Sequence, residues 1–309
     1  MPRINVTEKD LSWYYRQREK GAITVYVPGL ATFGPSEPTL CDASNFTKYF
    51  GIESVDDSQD TSYHMAASYI KSGFQVLFHR ILPEGAAKAA AKINSKIIFT
   101  AKYEGTYGNK LRFRVRKGDL TKGRLYIFVY TPNEVLLETV TVDLRDPASQ
   151  YYYATTEESQ FLEVTTTGEL TAEDIKDAKF VSQINAVDLD YLVLEGGSDG
   201  VTTSETSDGA DTSETSDEAT TGKTLYKQAV EAITAKESGG TVYTMTKDLL
   251  DPYQYSFDII TSGGFYDYKS EAGTTPTEVD KALFTLAVES GRAIYLVDGD
   301  KNWDAHKYY

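Results

Sequence analysis

The spacing of apolar and polar residues divides the chain into stretches of different period. Residues 1 to 20 form a polar, aromatic arm with no hydrophobic stripe of its own. Ile23 to Val27 is a short apolar run that reads as a strand, stopped at Pro28-Gly29. A glycine-proline loop follows (Gly34, Pro35, Pro38), then a small helix capped by Ser44 and ended by Gly51. Tyr63, Ala66, Ala67 and Ile70 fall at i, i+3, i+4 and i+7, one apolar helix face. Gly73 ends that helix and Phe74 to Leu82 continues as a buried strand. Pro83-Glu84-Gly85 breaks the chain, and Ala86 to Lys92 reads as an alanine-rich linker or short helix.

From about Lys96 the period becomes two. Leu111, Phe113 and Val115 alternate with Arg112, Arg114 and Arg116, the pattern of a strand wet on one side. Leu125 to Tyr130 and Val135 to Val142 flank residues 131–134 as a hairpin. With weaker strands near Phe161 to Thr165 and Tyr191 to Leu194, the pattern predicts an all-β module to about Gly196, a small sandwich or barrel. Ser198 to Gly222 repeats Ser-Glu-Thr-Ser-Asp at 204–208 and 213–217 and holds no large apolar residue after Val201, which predicts a mobile acidic loop.

The last part returns to α/β character. Leu225, Ala229, Ala232 and Ile233 line one helix face, and Ser256 to Thr261 reads as a strand. Thr275, Pro276 and Glu278 form a capping box ahead of a helix whose core face is Val279, Ala282, Leu283 and Leu286. Gly291 stops it, Ala293 to Val297 is the next strand, and the order implies a parallel pair.

A strand at the end of an unpatterned arm has little local reason to fold. The run from Ile23 to Val27 is therefore expected to pair with another chain. On this reading Val25→Pro abolishes assembly and leaves the fold intact. The expected divisions are an arm with its exchange strand (1–27), the first part of an α/β core (28–97), a β-sandwich (98–196), the acidic loop (197–222) and the second part of the core (223–309).

The 309 residues are enough for two domains, and 40% are hydrophobic, so the chain is globular. Twenty-three tyrosines suit both strand formation and half-wet contact surfaces. The net charge of −15 repels phosphate backbones and argues against nucleic acid as a partner. Cys41, the only cysteine, excludes an internal disulfide and a multi-cysteine metal site. No signal core or membrane-length apolar run is present, so cytosolic synthesis without membrane insertion is expected, and the two glycosylation triplets at Asn5 and Asn45 read as chance.

Candidate chemistry is thin. Gly222-Lys223-Thr224 ends like a phosphate loop, but Asp217 stands where the first glycine is needed and no strand precedes it. Asp298, Asp300, Asn302 and Asp304 alternate like a calcium loop, but Trp303 takes the turn glycine's place and Tyr309 that of the bidentate glutamate. His64, His79 and His306 have no spaced partners of the kind a metal site or triad needs. No catalytic, cofactor or metal residue is assigned.

The wording VYVPGLATFGPSEPTL (residues 25–40), followed by FTKYFG (46–51), resembles the start of the contractile tail sheath proteins of bacteriophages and related injection machines. MAASYIKSGFQVLFHR (65–80) is similar to that family's helix and strand ending in arginine. TAKYEGTYGN (100–109) resembles the entry to its β-sandwich, and LEGGSDG (194–200) the glycine-rich exit. Leu249 to Thr261 and GRAIYLVD (291–298) look like its α/β region, a layout likened to subtilisin without the protease residues. The resemblance implies a discontinuous α/β core with an inserted β-sandwich or barrel and an extended N-terminal arm. The same resemblance implies that Ile23, Thr24, Val25, Tyr26 and Val27 make the strand exchange, led by arm contacts from Trp13, Tyr14 and Tyr15. It implies a structural subunit of the virion tail, made in the host cytoplasm, that stacks as hexameric rings and contracts to drive a tube through the host envelope. Its partners would be neighbouring subunits within and between rings, the tail tube protein, and baseplate and tail terminator proteins, with no cofactor. Family members usually continue past this point, so the native chain is expected to be longer. Two other readings stand: a virion decoration or host-surface binding protein using the β-module, and an open α/β enzyme with its site beyond strand ends near Asp258 or Asp298.

Overall fold

The computed structural model describes residues 23–57, 60–93, 96–119, 123–153, 159–168, 171, 173–174, 177–200, 224–237, 243–265 and 278–297. The first stretch contains β1 (Thr24–Gly29), β2 (Thr39–Cys41), α1 (Phe46–Phe50), α2 (Ser62–Lys71) and β3 (Gln75–Arg80). The middle contains β4 (Ala90–Ile93), β5 (Ile97–Ala101), a 3-10 turn (Thr106–Lys110), β6 (Arg112–Lys117), β7 (Arg124–Tyr130), β8 (Leu136–Asp143), β9 (Leu162–Thr166), α3 (Ala178–Leu189) and β10 (Leu192–Val193). The last contains α4 (Leu225–Thr234), α5 (Thr244–Lys247), β11 (Ile259–Thr261), α6 (Glu278–Ser290) and β12 (Ile294–Leu296).

One five-stranded sheet has the order β12-β11-β1-β3-β2. All neighbours in it are parallel except β2, which runs against β3. Residues early and late in the sequence thus share a sheet, while residues 90–193 supply two others, β10-β6-β7-β8 and β4-β5-β9. Every residue of β1 is buried, which is the mark of a parallel strand covered on both faces. Val25 and Val27 face a core with Phe46, Phe50, Tyr63 and Phe78 from α1, α2 and β3. Tyr26 faces the opposite core, with Ala229, Ile233, Leu283 and Leu286 from α4 and α6.

Two expectations about this region are corrected. The strand does not stop at Pro28; it runs through Pro28 and Gly29, paired with His79 and Arg80. Gly29 belongs there because a Cβ would stand 2.6 Å from the Phe78 ring. More important, Thr24, Val25, Tyr26 and Val27 are not a strand held out for another chain. Val25 pairs with Val76 on one side and Ile259 on the other, and Tyr26 with Leu77 and Ile260. With both ladders occupied, β1 has no free hydrogen-bonding edge to lend. Ile23 lies just outside it and is 43% exposed. Trp13, Tyr14 and Tyr15 lie outside the described residues.

The two smaller sheets close on a single core that includes Phe99, Phe113, Ile127, Val129, Val140 and Phe161. The hairpin of β7 and β8 forms as the sequence predicts, with Glu134 taking a positive φ of 63° in its turn. This part of the chain is not all-β. Ala178–Leu189 is a helix whose Ile184 enters the shared core, and residues 86–92, read as linker or helix, lead into β4. The small helix after the first loop follows Asn45 rather than Ser44, whose hydroxyl donates to Asp42 instead. Most of the acidic segment (201–222), Thr275, Pro276 and residues 298–309 lie outside the described residues. What is described is a mixed α/β structure of several sheets and few helices.

Candidate assembly surface and the junction behind it

β3 ends in Arg80, and its guanidinium is the largest fully buried side chain among the described residues, 1% exposed. Its contacts are backbone carbonyls: Nε donates to Ala31 O at 3.0 Å, Nη1 to Gly34 O at 2.7 Å and Nη2 to Glu104 O at 2.9 Å. Burial pulls its pKa down to about 10, opposed by the charges of Asp199 and Glu104. A lysine has no planar fork to reach three separate carbonyls, so arginine is specified here. The residue ties the loop after β1 to the loop before the 3-10 turn.

The same loops meet in other ways. Tyr107 N donates to Thr32 O at 3.2 Å, and Phe33 reaches across to stack on Phe161, with centroids 6.1 Å apart. Gly105 has φ +126°, and a Cβ on it would fall 1.9 Å from Thr32 O, so only glycine fits. Asn109 and Gly197 bond reciprocally, while Asp199 accepts from Thr106 N and Thr106 Oγ1 at 2.8 and 2.6 Å. Four stretches singled out in the sequence, 25–40, 65–80, 100–109 and 194–200, therefore converge on one junction.

Beyond the junction, the five-stranded sheet ends in β12. Its partner on one side is β11; among the described residues nothing pairs with its other edge. Ile294 and Leu296 are 68% and 43% exposed, while Tyr295 between them turns inward and donates to Asp280 at 2.5 Å. Arg292 fixes the start of the strand, donating to Leu249 O and Tyr255 O with its guanidinium 4.9 Å from the Phe257 ring centre. The packed helix α6 turns Val279, Leu283 and Leu286 inward but leaves Phe284 and Val288 outside, 60% and 62% exposed. A strand edge without a partner among the described residues, and exposed large apolar side chains on β12 and α6, are the features by which a sheet takes on another chain. The sequence signal was present: Phe284 and Val288 lie four apart, off the core stripe of their helix.

The other candidates take structural places. Tyr26 Oη and His79 Nδ1 are 2.9 Å apart in a part-buried contact, and His64 is exposed on α2. Cys41 is buried in β2, and burial with the nearby Asp42 charge pushes its thiol up to about 12, far from a reactive thiolate. Thr224 caps α4, its hydroxyl accepting from Lys227 N, as a helix start would. Asp258 precedes β11, at the end of the sheet opposite the carboxyl ends where such folds hold ligands, and accepts from Thr24 N at 3.0 Å. At the carboxyl ends of β1 and β11 the chain segments pack closely. Gly263 lies against Pro28 O, Gly264 against Thr61, and Tyr226 Oη donates to Gly264 O at 3.1 Å. Asp298, His306 and the alternating acids of residues 298–304 lie outside the described residues.

No family model and no curated protein matches this chain. Among solved structures, it is similar to a sheath tail protein of Listeria innocua, at 18% identity over 90% of this chain and 46% of that one, with a TM-score of 0.44. It is also similar to a sheath tail protein of Desulfitobacterium hafniense, at 16% identity over 94% of this chain and 62% of that one, with a TM-score of 0.38. The chain spans about half the length of the first and less than two thirds of the second.

Proposed function

We propose that this chain is a structural subunit of a contractile tail sheath, stacked in hexameric rings around a tail tube and contracting to drive the tube through a host envelope. The observation that carries the reading is the convergence on Arg80. Glycine turns are common singly, but here the stretches that resemble the sheath family bond to one another, in the family's order, at a single junction. On this reading the five-stranded sheet is the discontinuous core, in a layout like that of subtilisin, and residues 98–196 are an inserted module facing outward. Its partners are neighbouring subunits, the tube protein, and baseplate and terminator proteins in the virion tail.

The edge of β12, which has no partner among the described residues, and the exposed Phe284 and Val288 of α6 give the reading a place for subunit contact. Because β1 is committed within its own sheet, the arm (residues 1–22, with Trp13, Tyr14 and Tyr15) is the segment to be lent, and a neighbour's β12 the edge that receives it. Main-chain bonding of this kind tolerates sliding of the rest of the subunit. Electron microscopy of the protein in its native particle tests the proposal. Stacked sixfold rings with arms crossing to neighbours support it; isolated monomers, or single projections on a particle surface, sink it and favour a decoration or host-binding role for the β-module.

A further inference from the structure

The four-stranded sheet turns one face to the core and the other outward, and the outward face is basic and aromatic. Register places Arg114 beside Phe128 and Thr139, Arg116 beside Tyr126 and Thr141, and Arg112 beside Tyr130. Leu192 pairs with Phe113 and packs on the core, so Tyr191 and Val193 fall on the outward side with the arginines. The guanidinium of Arg114 lies 4.5 Å from the Tyr191 ring centre and 6.0 Å from that of Tyr130. Arg112 lies 5.5 Å from Tyr191, and Arg116 lies 5.6 Å from Phe128. The rings hold these cations in fixed orientations, which lowers the entropy lost on binding an anion.

Two of the three already have exposed carboxylate neighbours, Glu134 for Arg112 and Asp188 for Arg116. Exposed pairs of this kind are weak and exchange readily. Arg114 has none among the described residues, and its Nε is buried without a hydrogen-bond partner. The chain itself carries a matching anion. Residues 201–222 hold Glu205, Asp208, Asp211, Glu214, Asp217 and Glu218 and no lysine or arginine. The segment leaves and rejoins the structure at one place, since Gly200 and Thr224 line the same cleft. Gly200 is seven residues from Val193, the partner of Arg112, so this end of the face starts within about 24 Å of that root, and half of the segment spans up to about 36 Å.

We propose that the Arg112-Arg114-Arg116 face is the docking surface for the chain's own acidic segment, residues 201–222. Arg114 takes a carboxylate from one of the two Ser-Glu-Thr-Ser-Asp units, and its neighbours exchange their exposed partners for further ones. Tethering at both ends supplies the segment at high effective concentration, so weak charge-assisted bonds suffice.

The test uses the full chain and a fluorescent peptide of residues 201–222, with binding read by anisotropy at low salt. In the full chain whose own six acids are changed to amides (E205Q, D208N, D211N, E214Q, D217N, E218Q), the peptide binds, and binding is at least about tenfold weaker to the unaltered chain, whose segment competes. Adding Arg114→Gln to the amide variant weakens binding at least about tenfold, and Arg112→Gln weakens it as well, with circular dichroism unchanged in both. Absence of binding to the amide variant overturns the proposal, as does binding that neither arginine change alters. Inorganic polyphosphate binding the face where the peptide does not also overturns it, and assigns the face to polyanions instead.

Discussion

Asn109 and Gly197 hold each other by two hydrogen bonds of 2.8 Å, Asn109 Nδ2 donating to Gly197 O and Gly197 N donating to Asn109 Oδ1. The side-chain amide copies a strand's ladder across 88 residues of sequence, closing the β-module where its chain enters and leaves. Arg80 clamps the neighbouring loops. Asn109→Ala is expected to cost about 1–3 kcal/mol, and Arg80→Lys about 2–4 kcal/mol because carbonyls of Ala31, Gly34 and Glu104 lose donors. As parts of one junction the two should couple: urea unfolding of the double variant should depart from additivity by at least about 0.5 kcal/mol.

Asp60 gives a pH signature of definite sign. Its Oδ1 accepts from Ser62 N and Oγ, but its Oδ2 is buried without a hydrogen-bond partner, and burial raises its pKa above the usual carboxylate range. The folded chain therefore keeps a proton where the unfolded chain has lost it. Its contribution to stability is greatest below about pH 3.9 and declines as pH rises through the raised value. Thermal midpoints of the wild type and Asp60→Asn, measured from pH 4 to 7, should differ in slope, with the decline smaller in the variant. Parallel slopes would contradict this assignment.

Val25→Pro should now unfold the protein rather than merely disconnect it. Proline removes a ladder donor from a strand bonded on both sides, and the ring does not fit a central position. Loss of the far-ultraviolet dichroism of the folded chain is the expected result. A folded but non-assembling variant would restore β1 as the lent strand.

Phe284→Asp and Val288→Ser should leave the thermal midpoint nearly unchanged, because both side chains are mostly exposed. Sedimentation of the assembled particle component should instead show loss of polymer. Polymer formation unaffected by both would remove the α6 and β12 surface from the proposed contacts.

What the sequence revealed depended on whether an element's role was local. The stripes of α2, α4 and α6 and the alternation in β6 to β8 are written in each segment's own periodicity, and all were legible. β1 was legible as a strand but not in its place, because a continuous apolar run reads alike in a lent strand and a buried parallel one, and its partners lie far away in sequence. Residues 178–189 carry few strong helix markers, and three of the four residues of β4 are alanine or lysine, so it is held by β5 more than by propensity. The convergence on Arg80 could not be read at all, since the carbonyls that hold its guanidinium come from loops 24 to 49 residues away in sequence.

The pairing of Val25 with Ile259 has a consequence during synthesis. β3 can join β1 as soon as Arg80 has left the ribosome, but β11 follows only some 180 residues later. At usual elongation rates that is a wait on the order of 10–35 seconds, with one edge of a strand that is wholly buried in the finished fold still uncovered. The nascent chain would pass this interval as a half-sheet, with β4 to β10 maturing beside it. Chaperone demand should therefore peak while the β-module is being made and fall once Thr261 emerges.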